Sequence, residues 1–328
     1  MLGFEKKLQS QKPLPQVLGE HAGRAKSAPW FCRPRASSIG CSERVLRYSA
    51  FRNFPNLERF TTAQFYTRAV GPRICPLAFV TGFQPDCIRP CLMHSVHLGI
   101  CQWLNGCAVH DLIDHGYLGD PPLQSQLNVL CKRFNDWCKV NRIRHYQPYI
   151  PAALLLVKAG DYPELRLKAW CSRVLTAFLS VVLQDLCGQM RREGRNVPGP
   201  VALAAASCQR LSQWMLMIEQ CPRFLTVEQA ENLQRVAWEF LDVYQVLARE
   251  MVGAGVLRYP IKPKHHVFQE MNRAIGLEKY NPRMFHTYLD EDCIGSVKGL
   301  ARVCHRSLLE LRVLMRSLLR LQFYTLRC

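Results

Sequence analysis

Between Thr226 and Gly253 the chain spells out one long amphipathic helix, and this segment constrains the fold more than any other. Thr226 and Gln229 form a capping box, in which the hydroxyl accepts from an early helical N–H while the amide reaches back to the N-cap. Leu233, Val236, Ala237, Phe240, Leu241, Tyr244, Leu247 and Met251 then recur on one face, and Gly253 provides the stop. A stripe of that length is the mark of a helix that packs against other helices around a common core.

The same period extends to both sides. Leu92 to Leu104 is apolar and reads as a helix stopped by Asn105-Gly106. Pro121-Pro122 opens another, with Leu123, Leu127, Leu130, Phe134 and Trp137 on one stripe. A third begins near Pro163 and runs through Trp170, Val174, Phe178 and Val182 to Cys187-Gly188. The loop RREGRNVPGP leads to a helix over Val201 to Glu219, and YPIKPKHH leads to a short one near Val267 to Ala274. A final pair covers Asp292 to Cys304 and Ser307 to Phe323. No internal repeat is present, so the expected fold is mainly α, with an all-α block from about residue 92 to 275.

The N-terminal part differs. Pro13, Pro15, Pro29, Pro34 and Pro55 interrupt residues 1–60, which read as a basic, partly disordered arm. Residues 60–83 mix β-branched and aromatic residues with Gly71, Pro72, Pro76 and Gly82, a pattern compatible with short strands. The start, MLGFEKKLQSQKPLPQ, lacks the apolar core of a secretory signal, although the first forty residues share the basic, acid-poor character of a transit peptide. The longest apolar run, Val174 to Leu183, is about half of the ~18–20 residues that a bilayer span needs. No membrane partner is expected.

Charge is the strongest bulk signal. The formal net charge is +18, and residues 1–80 carry 13 Lys/Arg against four Asp/Glu. From Arg306 onward there are five arginines against the single acid Glu310. Such a balance favours polyanionic partners, meaning nucleic acid or an anionic membrane surface. The 16 cysteines are scattered singly through apolar patterns, which points to buried thiols in a reduced, intracellular setting rather than to a disulfide framework.

Four segments could carry chemistry. In QPDCIRPCLMHSVHLGI, from Gln84, the residues Cys87, Cys91, His94 and His97 give C-x3-C-x2-H-x2-H, soft and borderline ligands that a zinc ion would accept. At a helix start, Lys262, Lys264, His265 and His266 make a cationic knot suited to a phosphate. Asp290, Glu291 and Asp292 precede an amphipathic helix, where acids favour the dipole but could also offer hard oxygens to a divalent cation. In the last helix Arg312, Arg316 and Arg320 recur every four residues, opposite a seam of Leu308, Leu311, Leu314 or Met315, and Leu318. Such a ridge can neutralise about three phosphates, and its seam faces either a core or a partner.

Together these blocks resemble DDE-type transposases of the CACTA-like group. The stretch Arg89-Pro90-Cys91-Leu92-Met93-His94-Ser95-Val96-His97-Leu98-Gly99 is similar to their D-x-x-H…LG motif. Pro263-Lys264-His265-His266 resembles a K-x-H block, and Tyr288-Leu289-Asp290-Glu291-Asp292…Gly295…Val297 resembles DED-x-x-G-x-V. The resemblance spans roughly residues 60 to 320. It implies an RNase H-like α/β core interrupted by a long helical insertion. Residues 61–100 and 276–328 would then be the remnant of that core, and residues 101–275 the insertion. It also implies three acids that bind two Mg²⁺ or Mn²⁺ ions and drive phosphodiester transfer on DNA.

The chain departs from the pattern where the chemistry matters. Cys91 stands where the motif has its aspartate, and a thiol is a poor ligand for a hard cation. The first catalytic aspartate has no counterpart, since residues 1–80 offer only Glu5, Glu20, Glu43 and Glu58. Glu291 or Asp292 would be the surviving last acid and metal ligand, and Asp86 could replace the lost one only in a shifted register. The leading expectation is therefore a truncated, degenerate transposase relative that binds nucleic acid in the nucleus, takes no small-molecule substrate and leaves room for a homo-oligomer. One competing expectation is an active metal-dependent nuclease that uses Asp86 with Asp290, Glu291 and Asp292. Another is a helical interaction scaffold with a zinc corner.

Overall fold

The computed structural model describes residues 32–34, 57–59, 80–83, 87–156 and 161–325. It divides into two compact units, Met1–Phe285 and His286–Cys328. In the first, a two-stranded antiparallel ladder joins β1 (Cys32–Pro34) to β2 (Leu57–Arg59). The helical part follows as a π-helix (Met93–Ile100), α1 (Cys101–Asp114), α2 (Leu123–Val140), α3 (Ala169–Arg192), α4 (Gly199–Gln220), α5 (Val227–Gly253) and α6 (Pro263–Glu278). Two-residue strands β3 (Leu155–Leu156) and β4 (Glu164–Leu165) pair as a hairpin between α2 and α3. The second unit holds α7 (Tyr288–Arg302) and α8 (Leu309–Thr325), linked through a 3₁₀ turn. The protein is mainly α, as its periodicity requires. Among the described residues no sheet exceeds two strands.

The capping box is present in full: Thr226 accepts from the Gln229 N–H, and the Gln229 side chain accepts from the Thr226 N–H. The stripe of α5 is buried along its whole length and packs on α4 and α6. α3 packs in turn on α4 and α1. Trp214 of α4 meets Phe268 of α6 edge-on, with ring centroids 4.8 Å apart, and Phe240 closes on the same ring. Length and composition alone would let α3 cross a bilayer, but 67% of its most apolar stretch is buried, because it runs through the middle of this core.

Two boundaries differ from expectation for a tertiary reason. Asn105-Gly106 does not stop a helix; α1 runs through it to Asp114. The Asn105 amide donates to the Ser172 carbonyl at 2.8 Å and its oxygen accepts from the Thr176 hydroxyl, so it bonds to α3 rather than to its own backbone. Gly106 lies under β4, where a Cβ would stand 2.8 Å from the Leu165 nitrogen. Similarly, α3 begins at Ala169 rather than near Pro163, because Glu164 and Leu165 are taken up in the hairpin with β3.

The π-helix shares this core. Leu92, Val96 and Ile100 join the same cluster as α1 and α3, so residues 92–100 belong with the helical block rather than on the far side of a boundary at residue 100. The division between units falls at Phe285/His286, about ten residues beyond the expected one. The expected strands over residues 60–79 and most of the N-terminal arm lie outside the described residues.

Candidate nucleic-acid interface

The Pro263-Lys264-His265-His266 block starts α6 from within. Pro263 occupies the first helical position, where its missing N–H costs nothing. The Nδ1 of His265 accepts from the Lys262 N–H at 3.1 Å, and its ring lies 4.6 Å from that of Tyr244. His265 is fully buried, and desolvation pushes its pKa down to about 3. His266 is also buried and lowered by desolvation, and it faces Gln269. The His265 imidazole is therefore neutral at ordinary pH. The expected role of His265 as a cationic phosphate contact is corrected by its burial, which excludes solvent and charge alike.

The two lysines of the block serve as ties. Lys264 Nζ donates to the Leu98 carbonyl at 3.0 Å, and its stem crosses Gly99, where a Cβ would lie 2.4 Å from Cδ. Only a glycine admits that crossing. The Lys262 ammonium stands 5.0 Å from the Tyr162 ring centroid and 5.6 Å from that of Trp103, and the Lys264 ammonium stands 5.8 Å from Trp103. Burial lowers the pKa of Lys264, against the opposing pull of Glu164. The leucine-glycine end of the first block and the lysine of the second are thus in direct contact, although 165 residues separate Gly99 from Lys264.

Nearer the start of the first block, Arg89 pairs with Glu278 at 2.6 Å and lies over the Phe285 ring. Cys91 Sγ and His94 Nδ1 are 3.3 Å apart on the outer side, while His97 is buried and Cys87 is exposed. The i→i+5 winding of this segment sends the two histidines to opposite sides. Among the described residues no three His, Cys, Asp or Glu side chains gather as a metal would require. Cys87, Cys91, His94 and His97 do not form a tetrahedral set.

The acids are placed elsewhere. Asp290 and Glu291 fall in the first turn of α7, with Asp292 just beyond, and all three are exposed. Successive helical residues point about 100° apart, so Glu291 and Asp292 diverge rather than converge on one ion. Within this unit the acids do not fit the two-cation centre that the sequence resemblance implies. Their position suits the helix dipole instead. Asp86 lies outside the described residues.

The arginine ridge forms as the spacing demands. Arg312, Arg316 and Arg320 follow one face of α8, the first and last exposed and the middle one partly so. Arg320 donates to the Ser296 hydroxyl at 2.8 Å, which braces α8 against α7. No ion pair with a described acid engages the three guanidiniums. The opposite seam is open as well: Leu311, Leu314, Met315 and Leu318 are each more than half exposed.

Sequence inspection misses Trp103, Tyr162 and Glu164, which receive the lysines of the second block. It also misses the pairing of Arg258 with Asp111 and Asp114, and the bond from the Tyr259 hydroxyl to Asp111. These partners lie about 100–160 residues apart in the chain, and no local pattern links them. Set against known proteins, the chain matches no family model, no curated protein and no solved structure.

Proposed function

We propose that this is a transposase-derived nucleic-acid-binding protein that holds DNA through the arginine ridge of α8 and lacks strand-transfer chemistry. On this reading the helical block is the insertion of an RNase H-like ancestor, whose sheet survives only as a remnant. The observation that carries the proposal is the ridge itself: three guanidiniums at four-residue spacing, free of acidic partners among the described residues, in a chain of net charge +18. Exposed cations in a row can each displace a counterion from a phosphate, and such binding needs no cation cofactor. The absence of chemistry is supported by Cys91 at the position of the motif aspartate and by the divergence of Glu291 and Asp292. The exposed leucine seam supports a second element of the proposal, pairing with another copy of the chain.

The test is anisotropy with a labelled duplex of about 30 bp between 50 and 200 mM salt, with and without Mn²⁺. Each neutralised phosphate contributes a log–log slope of about −0.9, so replacing Arg312, Arg316 and Arg320 together by alanine should flatten the slope by about 2.7. No binding at the lowest salt, or an unchanged slope in the triple variant, overturns the proposal. Mn²⁺-dependent nicking that Asp292→Ala abolishes would instead establish an active nuclease.

A further inference from the structure

The connection that follows α2 was not singled out by any motif, yet it has the make-up of a ligand-binding strip. Arg142 adopts a left-handed conformation (φ 55°) that ends α2, and the Ile143 N–H returns to the Cys138 carbonyl at 2.9 Å. From there the chain alternates. Arg142, Arg144 and Tyr146 are exposed, while Ile143, His145 and Gln147 turn toward the protein. The inward side is held at several points. Trp170 Nε1 donates to the Arg144 carbonyl at 2.8 Å, and the His145 ring stands 4.8 Å from Phe134. Asn135 donates to the Pro148 carbonyl at 3.0 Å, and Gln124 donates to that of Ile150 at 3.2 Å.

An irregular segment pinned in this way has its backbone order settled by the core, so its outward side chains are presented at fixed positions. Those side chains are unusual for a solvent-facing loop. Tyr146 is 76% exposed and Tyr149 is 48% exposed, two aromatic rings left in water three residues apart. Lys139, Arg142 and Arg144 flank them, and no ion pair with a described residue engages any of the three. No acid occurs between Val140 and Gly160. Two aromatic faces among unpaired cations make the combination that binds single strands: the rings stack on bases and the cations follow the phosphates. A duplex keeps its bases stacked on one another and offers none to Tyr146 or Tyr149.

We propose that Arg142–Tyr149 is a binding strip for single-stranded nucleic acid, with Tyr146 and Tyr149 stacking on bases and Lys139, Arg142 and Arg144 contacting the backbone. The strip belongs to the first unit and the ridge of α8 to the second, and the strip deepens the nucleic-acid reading by naming the form that this surface takes.

The experiment uses the full chain and a fluorescein-labelled dT20 oligonucleotide at low salt, with the duplex of the previous test alongside. Tyr146→Ala and Tyr149→Ala should each weaken dT20 binding by about fivefold or more, and Tyr146→Phe should restore it, since stacking needs the ring and not the hydroxyl. Both side chains are exposed, so the fold should withstand these changes; an unaltered melting temperature verifies that. Arg142→Ala combined with Arg144→Ala should weaken dT20 binding and reduce its salt slope by about 1.4. Absence of dT20 binding, or binding that ignores the tyrosines, overturns the strip. So does equal, tyrosine-dependent capture of a poly-glutamate probe, which would assign the surface to an acidic protein. Duplex binding that fails only in the α8 variant, and dT20 binding that fails only in the strip variants, keep the two proposals distinguishable.

Discussion

Replacing His265 by glutamine should remove a specific part of the protein's acid sensitivity. In the folded chain this imidazole is held neutral by burial, with a pKa of about 3, whereas in the unfolded chain it titrates near the ordinary value of about 6.5. The folded-state value is depressed, so between these limits the unfolded chain binds the extra proton. Stability is complete above about pH 6.5 and declines as the pH falls through the window toward 3. Between pH 7 and pH 5 the unfolded imidazole goes from about one-quarter protonated to almost fully protonated, while the folded one stays neutral. The linkage over that interval integrates to about 2 kcal/mol. For a folded unit of this size that corresponds to a melting temperature lower by roughly 4–8 °C. Glutamine at the third helical position can still accept from the Lys262 N–H, so the cap survives while the titration disappears. Thermal unfolding of both proteins at pH 7 and pH 5 measures the effect, and His266 and the other groups cancel in the comparison. If both proteins lose the same stability between the two pH values, His265 is not buried and neutral, and the packing of α6 on α5 is wrong.

Three further outcomes follow from particular contacts. Gly106→Ala would place a methyl group 2.8 Å from the Leu165 nitrogen and 2.9 Å from the Glu164 Cα, both backbone atoms, and should lower stability in urea by about 1–3 kcal/mol. The same change at Gly295, where no atom lies within 4 Å, should be neutral or raise stability by up to about 1 kcal/mol. Asp111→Ala strips Arg258 of its buried carboxylate and Tyr259 of its acceptor, leaving only the exposed Asp114, and should cost about 3–5 kcal/mol in denaturant melts. If the open seam of α8 pairs two copies, Leu311→Glu with Leu318→Glu should reduce the mass seen by light scattering from dimer to monomer; a monomeric parent protein would end that idea.

Much of the fold is legible in the sequence because helices are local. The capping box at Thr226, the stripe of α5 and the arginine repeat of α8 each depend on residues within a few turns, and each forms as its spacing requires. The paired prolines before α2 and the loop before α4 are equally local and mark their helices to within two residues.

What the sequence could not determine is which polar residues face inward. Asn105-Gly106 has the composition of a helix stop, yet it is a packing site, because its partners Ser172, Thr176 and Leu165 arrive from about 60–70 residues away. Lys262, Lys264, His265 and His266 look like one cationic cluster, but the core buries both histidines and holds His265 neutral, and aromatic rings receive the lysines. Arg142, Arg144, Tyr146 and Tyr149 carry no motif, and only the bonds that pin their backbone turn them outward together. The physical reason is the same in each case. Backbone propensity and amphipathic period are set by near neighbours, whereas desolvation and exposure are set by whatever the rest of the chain brings alongside.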